Sequence, residues 1–418
     1  MKLGRVALLL AATAFAGEAM SASPAGQVVT GPVAVYWMSA TTSSGMGAMM
    51  GGGGRPSMAD IMAMRSGGGQ SFSHNLVLQL GSSRRPTDGS AAAEHDPPAA
   101  LGAGAMLPLV SPQPQAAPTH QEAEPGPPPQ YHQPKGRMLI FWGCGEHAAA
   151  GQPLVIDFAQ LGQGGAQQFM ALTRGLALTP MQPPSPGRNT TYGEWPNTQS
   201  STTVPPQGSL QGQHHVHGNY SPDINFSLAA DQDFLPPIQL TTNAKNPSGS
   251  ATLAWRTVDG ARAYFANMFG AQSGGDVVMW TSSESQASAF ALPDYLSDHD
   301  ITRLVENHAL LPATQNSCII PQEAVAAAGH AGIFRLAAYG GETNIAYPPR
   351  PPAPQPWNIA WEVKVRYRST TGGLLGMDLS RMGRGGDSNP QQQPQQQPAR
   401  RPSPFNPLGG LGGLIPHN

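Results

Sequence analysis

Apolar and polar residues alternate from Phe72 to Leu80, with Leu76, Leu78 and Leu80 on one side. A period of two marks a half-buried strand. The same period runs from Trp361 to Arg368. Trp361, Val363, Val365 and Tyr367 form a dry face there, and Glu362, Lys364, Arg366 and Arg368 a wet one. Val28 to Ser39 is rich in β-branched and aromatic residues and predicts a strand or a strand pair. The run MLIFWGCGEH, from Met138, predicts a strand leading into a Gly-bounded turn, and Leu154 to Phe158 can return beside it as a hairpin. From Leu235 to Arg368, short runs such as PIQLTT, ATLAWR, RAYFANMF and DVVMWTS are separated by Gly, Asn, Pro or Asp. That spacing predicts an antiparallel sandwich over 235–368.

Helical spacing is rarer. Leu296 to Leu310 reads as a helix, with Asp300 ahead of Ile301, Leu304 and Val305. Arg55 to Arg65 has Ser57 and Asp60 placed as a capping box, and Phe169 to Leu178 predicts a short helix. Between these islands the pattern lapses. The stretches 81–136, 179–217 and 383–418 are dense in Pro, Gln, Ser, Gly or Ala and poor in large apolar residues. Chains of that kind bury too little surface to offset their entropy. They are expected to be a disordered linker, a second linker and a disordered tail. The fold expected is mainly β: an irregular, discontinuous β-rich region over 28–80 and 137–178, then a carboxy-terminal sandwich with a helical insertion.

Composition sharpens this picture. The 418 residues include 50 Gly and 43 Pro, and 11% are charged, which suits β segments on long loops rather than a compact helical enzyme. A formal charge of −2 gives no field for nucleic acid. Lys2 and Arg5 precede an uncharged apolar run, Val6 to Gly17, and small residues follow at Ala19, Ser21 and Ala22. These are the parts of a secretory signal peptide, so 1–22 is expected to be removed and the chain to be periplasmic, surface-associated or secreted. The apolar run is shorter than the roughly 20 residues a bilayer span needs. No later segment offers a transmembrane span.

The segment ATLAWRTVDGARAYF, Ala251 to Phe265, resembles two successive strands of fibronectin type III-like sandwiches. The resemblance implies that Trp255 packs between sheets, Gly260 turns the chain and Tyr264 points inward. IFRLAAYGGET, from Ile333, resembles a later core strand of that fold, and the stretch from Pro293 to Gly329 is an insertion the fold lacks. Such domains are usually binding or spacer modules, which is analogy rather than mechanism.

Candidate chemistry is sparse. Cys144 and Cys318 can bridge in an oxidising compartment, or Cys144, with Glu146 and His147 close by, can stay a reactive thiol. His214, His215 and His217 on an extended segment offer imidazoles to copper or zinc. Met46, Met49, Met50, Met58, Met62 and Met64 offer thioethers to Cu(I), although methionines also pack as ordinary apolar side chains. Trp255, Trp280 and Trp361 read as core residues, while Trp357, after a Pro-rich loop, is the best placed to contact a ligand. Asp231 with Asp233, and Asp294, Asp298 and Asp300, lie too close along the chain to suggest facing glycosidase carboxylates. Three functions stay open: a non-catalytic envelope protein binding protein or glycan, a copper or zinc carrier, and a secreted hydrolase or thiol enzyme.

Overall fold

The computed structural model describes residues 26–46, 72–112, 136–158, 176, 178, 181–272, 275–285, 292–329 and 332–377. The expected signal peptide, the helices at 55–65 and 169–178, the methionines from Met49 to Met64 and the carboxy-terminal tail lie outside these residues or almost wholly so.

The described residues form nineteen strands and two α-helices. In chain order the first strands are β1 (Val29–Thr30), β2 (Ala34–Gly45), β3 (Phe72–Ser82), β4 (Ala93–Asp96), β5 (Leu107–Leu109), β6 (Arg137–Trp142) and β7 (Leu154–Asp157). Then come β8 (Thr191–Trp195), β9 (Gly212–Gly218), β10 (Ile224–Leu228), β11 (Leu240–Lys245), β12 (Ala251–Trp255), β13 (Ala263–Ala271) and β14 (Val277–Thr281). Helix α1 (Asp298–Glu306) is followed by β15 (Leu311–Pro312), β16 (Ser317–Ile320) and helix α2 (Gln322–Ala328). The last strands are β17 (Ile333–Tyr347), β18 (Trp357–Asn358) and β19 (Trp361–Leu374). The fold is mainly β.

A ten-stranded mixed sheet runs β7-β6-β14-β13-β17-β19-β2-β3-β8, with β15 beside β13. Two of its pairings are parallel, β6 with β14 and β2 with β19. Each joins strands from opposite halves of the chain. The amino-terminal β-rich region and the carboxy-terminal strands therefore share one hydrogen-bonded sheet, rather than forming the two separate units the local pattern suggested. The expected hairpin is present, β6 with β7.

One face of this sheet packs on two smaller sheets, β10-β9-β4-β5 and β11-β12-β16. Tyr36, Met38, Leu76, Leu78, Leu80, Val363 and Val365 share a continuous core with Val216 and Phe226 of one small sheet and Leu253, Trp255 and Ile320 of the other. Trp255 and Tyr264 sit on different sheets with ring centroids 5.4 Å apart, so the Trp–turn–Tyr segment does bridge two layers. Core side chains of this size contribute about 1.5–3 kcal/mol each.

Two stretches expected to be linkers carry strands instead. The 81–136 stretch holds β4 and β5, and 179–217 holds β8 and most of β9. Asn219 explains part of this order. Its amide donates to the carbonyls of Asp88 and Ser90, and its Oδ1 accepts from the Ala92 N–H, which fixes the entry to β4. A Cβ on Gly218 would lie 2.5 Å from the Ala92 carbonyl oxygen, so glycine lets β9 lie against β4.

Cys144 and Cys318 form a disulfide with Cα atoms 5.3 Å apart. It ties the loop after β6 to β16. Neither sulfur is then a nucleophile, which removes the thiol chemistry considered for Cys144.

The other face of the large sheet divides in two. Over β13 and β17 it is apolar, where Phe265, Ala337 and Tyr339 meet Leu296, Ile301 and Leu304. Helix α1 begins there because the Ser297 hydroxyl accepts from the Asp300 N–H at 3.1 Å. Over β19, β2 and β3 the same face is polar.

Candidate functional site

Strand period places the polar face. In register, Arg366 lies beside Ser39 and Ser39 beside Val77; Arg368 lies beside Thr41 and Thr41 beside Asn75. With Gln79, Ser43, Thr370 and Arg335 they line a pocket of about 510 Å³, walled by Asp294 and Tyr295 just before α1. The alternation read from Trp361 to Arg368 is therefore real, but the face is not wet at its centre. Arg366 is 8% and Arg368 9% exposed.

Aromatic rings cover the guanidinium groups. Arg366 Cζ lies 4.7 Å from the Trp37 ring centroid and 4.4 Å from that of Tyr295, and Arg368 Cζ lies 5.0 Å from Tyr295. Rings attract a cation through their negative faces without neutralising it. Thr41 hydrogen-bonds the Tyr295 hydroxyl at 2.6 Å and fixes the ring over both arginines. Arg366 also donates from Nε to Ser39 Oγ at 3.2 Å.

Charge in the pocket does not balance. Arg335, Arg366 and Arg368 line it, and Asp294 is the one carboxylate among the described lining residues. Asp294 pairs with Arg368 and, at 3.4 Å, with Arg335. Burial opposes its ionisation, but Arg368 and then Arg335 outweigh burial and hold its carboxyl below the ordinary range. Lys364 is spent on Glu342 at 2.6 Å. Arg368 Nε is buried without a hydrogen-bond partner. A buried, unpartnered donor on a cation is costly unless an acceptor reaches it.

The histidines of β9 go to opposite faces. His214 turns into the core and is 1% exposed, with His95 of β4 at 0%. Together with Tyr36 they make one hydrogen-bonded chain. Leu210 carbonyl oxygen can only accept, so His214 donates to it from Nε2 at 2.7 Å. His214 Nδ1 then accepts from His95 Nε2 at 2.9 Å, and His95 Nδ1 accepts from the Tyr36 hydroxyl at 3.0 Å. Asp233 accepts from the Leu210 N–H at 2.7 Å and holds the end of the chain in place. Burial is the main reason that His95 and His214 are held neutral, below the usual histidine range, and that Tyr36 is pushed up. His214 therefore lies on the opposite face of β9 from His215 and His217.

His215 and His217 face outward, rings stacked with centroids 4.7 Å apart. They meet Asp96 of β4: Asp96 Oδ2 lies 3.4 Å from His215 Nδ1 and 3.2 Å from His217 Nε2. Glu94 Oε2 lies 3.9 Å from His217 Nε2. Neither acid was singled out from the sequence, because both fall in the stretch expected to be a linker.

Trp357 is half-buried in the small β1–β18 pair, away from the pocket. Its indole N–H donates to the Pro348 carbonyl at 2.8 Å, and Arg350 lies over its ring at 5.5 Å. Trp255, Trp280 and Trp361 are core residues. The aspartates near α1 have structural partners: Asp298 pairs with Arg262 at 2.6 Å and Asp300 with Arg303 at 2.9 Å. No helix among the described residues is long and apolar enough to cross a membrane. Comparison of the chain with protein-family models, with curated proteins and with solved structures finds no match.

Proposed function

We propose that the chain is an exported, non-catalytic binding protein of the cell envelope whose pocket on the large sheet holds an acidic glycan. One observation carries this reading: three arginines line one pocket against a single aspartate, and one of them keeps an unpartnered buried N–H. The surplus positive charge calls for an anion. Planar guanidinium groups suit carboxylate or phosphate oxygens. The hydroxyls and amides of Ser39, Thr41, Ser43, Asn75, Gln79 and Thr370 supply donors and acceptors for sugar hydroxyls on the same floor.

The basic and apolar start of the sequence supports export, and the disulfide suits an oxidising compartment. The likeness of Trp255, Gly260 and Tyr264 to fibronectin type III-like strands supports a binding module over an enzyme. So does the structural use of Asp298 and Asp300.

The test is calorimetry of the mature chain with a uronic-acid oligosaccharide and with the same oligosaccharide after its carboxyls are reduced to alcohols. The acidic form is expected to bind at least tenfold more tightly. Equal affinity for both forms would overturn the reading, as would the absence of binding to acidic and neutral glycans from envelope extract.

A further inference from the structure

The outward face of β9 and β4 carries a second constellation, independent of the arginine pocket. We propose that Asp96, His215 and His217 form a binding site for a borderline divalent cation, Zn²⁺ or Cu²⁺, with Glu94 as the nearest further ligand.

The site follows from strand geometry. Residues two apart on a strand share a face, so His215 and His217 point the same way, as do Glu94 and Asp96. The antiparallel register sets Glu94 opposite His217 and Asp96 opposite His215. Four ligating side chains thus occupy the corners of one small patch on two adjacent strands. Ligand atoms of Asp96, His215 and His217 all lie within 4.8 Å of one another.

Distance supports the assignment. Bonds of about 2.0–2.1 Å to a tetrahedral zinc put neighbouring ligand atoms roughly 3.3–3.4 Å apart. The two Asp96–His separations are 3.2 and 3.4 Å. The cation would replace the weak contacts now made between the imidazoles and the carboxylate, and needs only that the two rings close on each other. Two imidazoles with one or two carboxylates favour Zn²⁺ or Cu²⁺ over Ca²⁺ or Mg²⁺, which prefer all-oxygen shells. The ligands are partly exposed, from 36% to 44% of each side chain, so an ion can enter without the core opening.

The inner face of the same strands stiffens the site. His95 and His214 alternate with the ligands and are locked in the buried chain that ends on Tyr36 and Leu210. That chain fixes β4 against β9 at the register the ligands need. His214 itself has both ring nitrogens engaged and takes no part in binding.

The test uses the full mature chain without an affinity tag, stripped with chelator, and titrated with ZnSO₄ by calorimetry and with CuSO₄ by electron paramagnetic resonance. One Zn²⁺ per chain is expected at micromolar or lower Kd. The His215→Ala/His217→Ala double variant should weaken binding at least thirtyfold, and Asp96→Asn about tenfold. All three substituted side chains are only partly buried, so thermal melts within a few degrees of the parent are expected and confirm folding. With Cu²⁺, coupling to two nitrogens should be seen and should vanish in the double variant. Absence of Zn²⁺ binding would overturn the assignment. So would stoichiometric binding that persists in the folded double variant, which would place the ion elsewhere in the chain.

Discussion

Two regions of this protein bury polar groups, and they do it in opposite ways. In the core between β2, β4 and β9, Tyr36, His95 and His214 form a closed chain. Every ring nitrogen in it has one partner, all three groups are neutral, and the last acceptor is a backbone carbonyl. On the other face of the large sheet, Arg335, Arg366 and Arg368 line a pocket with one carboxylate between them, and Arg368 Nε has no partner. A satisfied neutral network has nothing left to offer a ligand; it specifies packing. A set of cations with surplus charge and an orphan donor is what the proposed anionic ligand would complete. The difference between polar residues that hold the fold and polar residues that await a partner is read from that balance, not from polarity itself.

The strongest break of the comparison is His95→Ala. It strips partners from the Tyr36 hydroxyl and His214 Nδ1 and leaves a cavity, at a cost of about 3–4 kcal/mol. Urea denaturation should show this loss. Tyr36→Phe removes one bond and should cost about 1–2 kcal/mol.

Acid should act on the core and spare the pocket. Burial is the first cause that lowers the basicity of His95, His214 and His74, a buried residue of β3 stacked on Phe234, below the ordinary value of 6.5. The unfolded chain therefore binds protons near pH 6 that the native chain refuses. Stability is complete above pH 6.5 and falls as pH drops through the unfolded value, by up to about 1.4 kcal/mol per pH unit for each histidine. Thermal melts from pH 7.5 to 5 check this.

Smaller effects are expected at the pocket. Arg335→Gln, on a half-exposed side chain, should change stability by less than about 0.5 kcal/mol but weaken an acidic oligosaccharide about tenfold. Asp294→Asn should act in the other direction. It removes the carboxylate that competes for Arg368 and Arg335, and should tighten anion binding a few-fold by calorimetry.

Much of the large sheet was legible in the sequence. Leu76, Leu78 and Leu80 do face the core, as do Trp361, Val363, Val365 and Tyr367, because each strand is long enough for a period of two to repeat. Helix α1 was legible from its Ile301–Leu304 stripe, although it is shorter than the 296–310 expected and its Ser297 cap was not singled out. Strands β4 and β5 were not. They are four and three residues long, and the inward positions of β4 are alanine and histidine, while β5 has only Leu107 and Leu109 on either side of a proline. Strand β4 pairs with β9 more than a hundred residues later, and β5 pairs with β4, an order that local pattern does not record. The same holds for β2 beside β19. Arg366 and Arg368 were read as a solvated face because nothing near them in sequence announces Tyr295, which folds over them from the loop before α1. Asp96 and Glu94 went unnoticed for the same reason as β4 itself.

The most direct measurement is one titration of a uronic-acid oligosaccharide into three folded proteins: the parent, Arg335→Gln/Arg368→Gln, and Tyr36→Phe. The arginine variant is expected to lose at least thirtyfold in affinity, while Tyr36→Phe binds like the parent despite its lower stability. Equal binding by all three would contradict this expectation, and so would a loss confined to Tyr36→Phe.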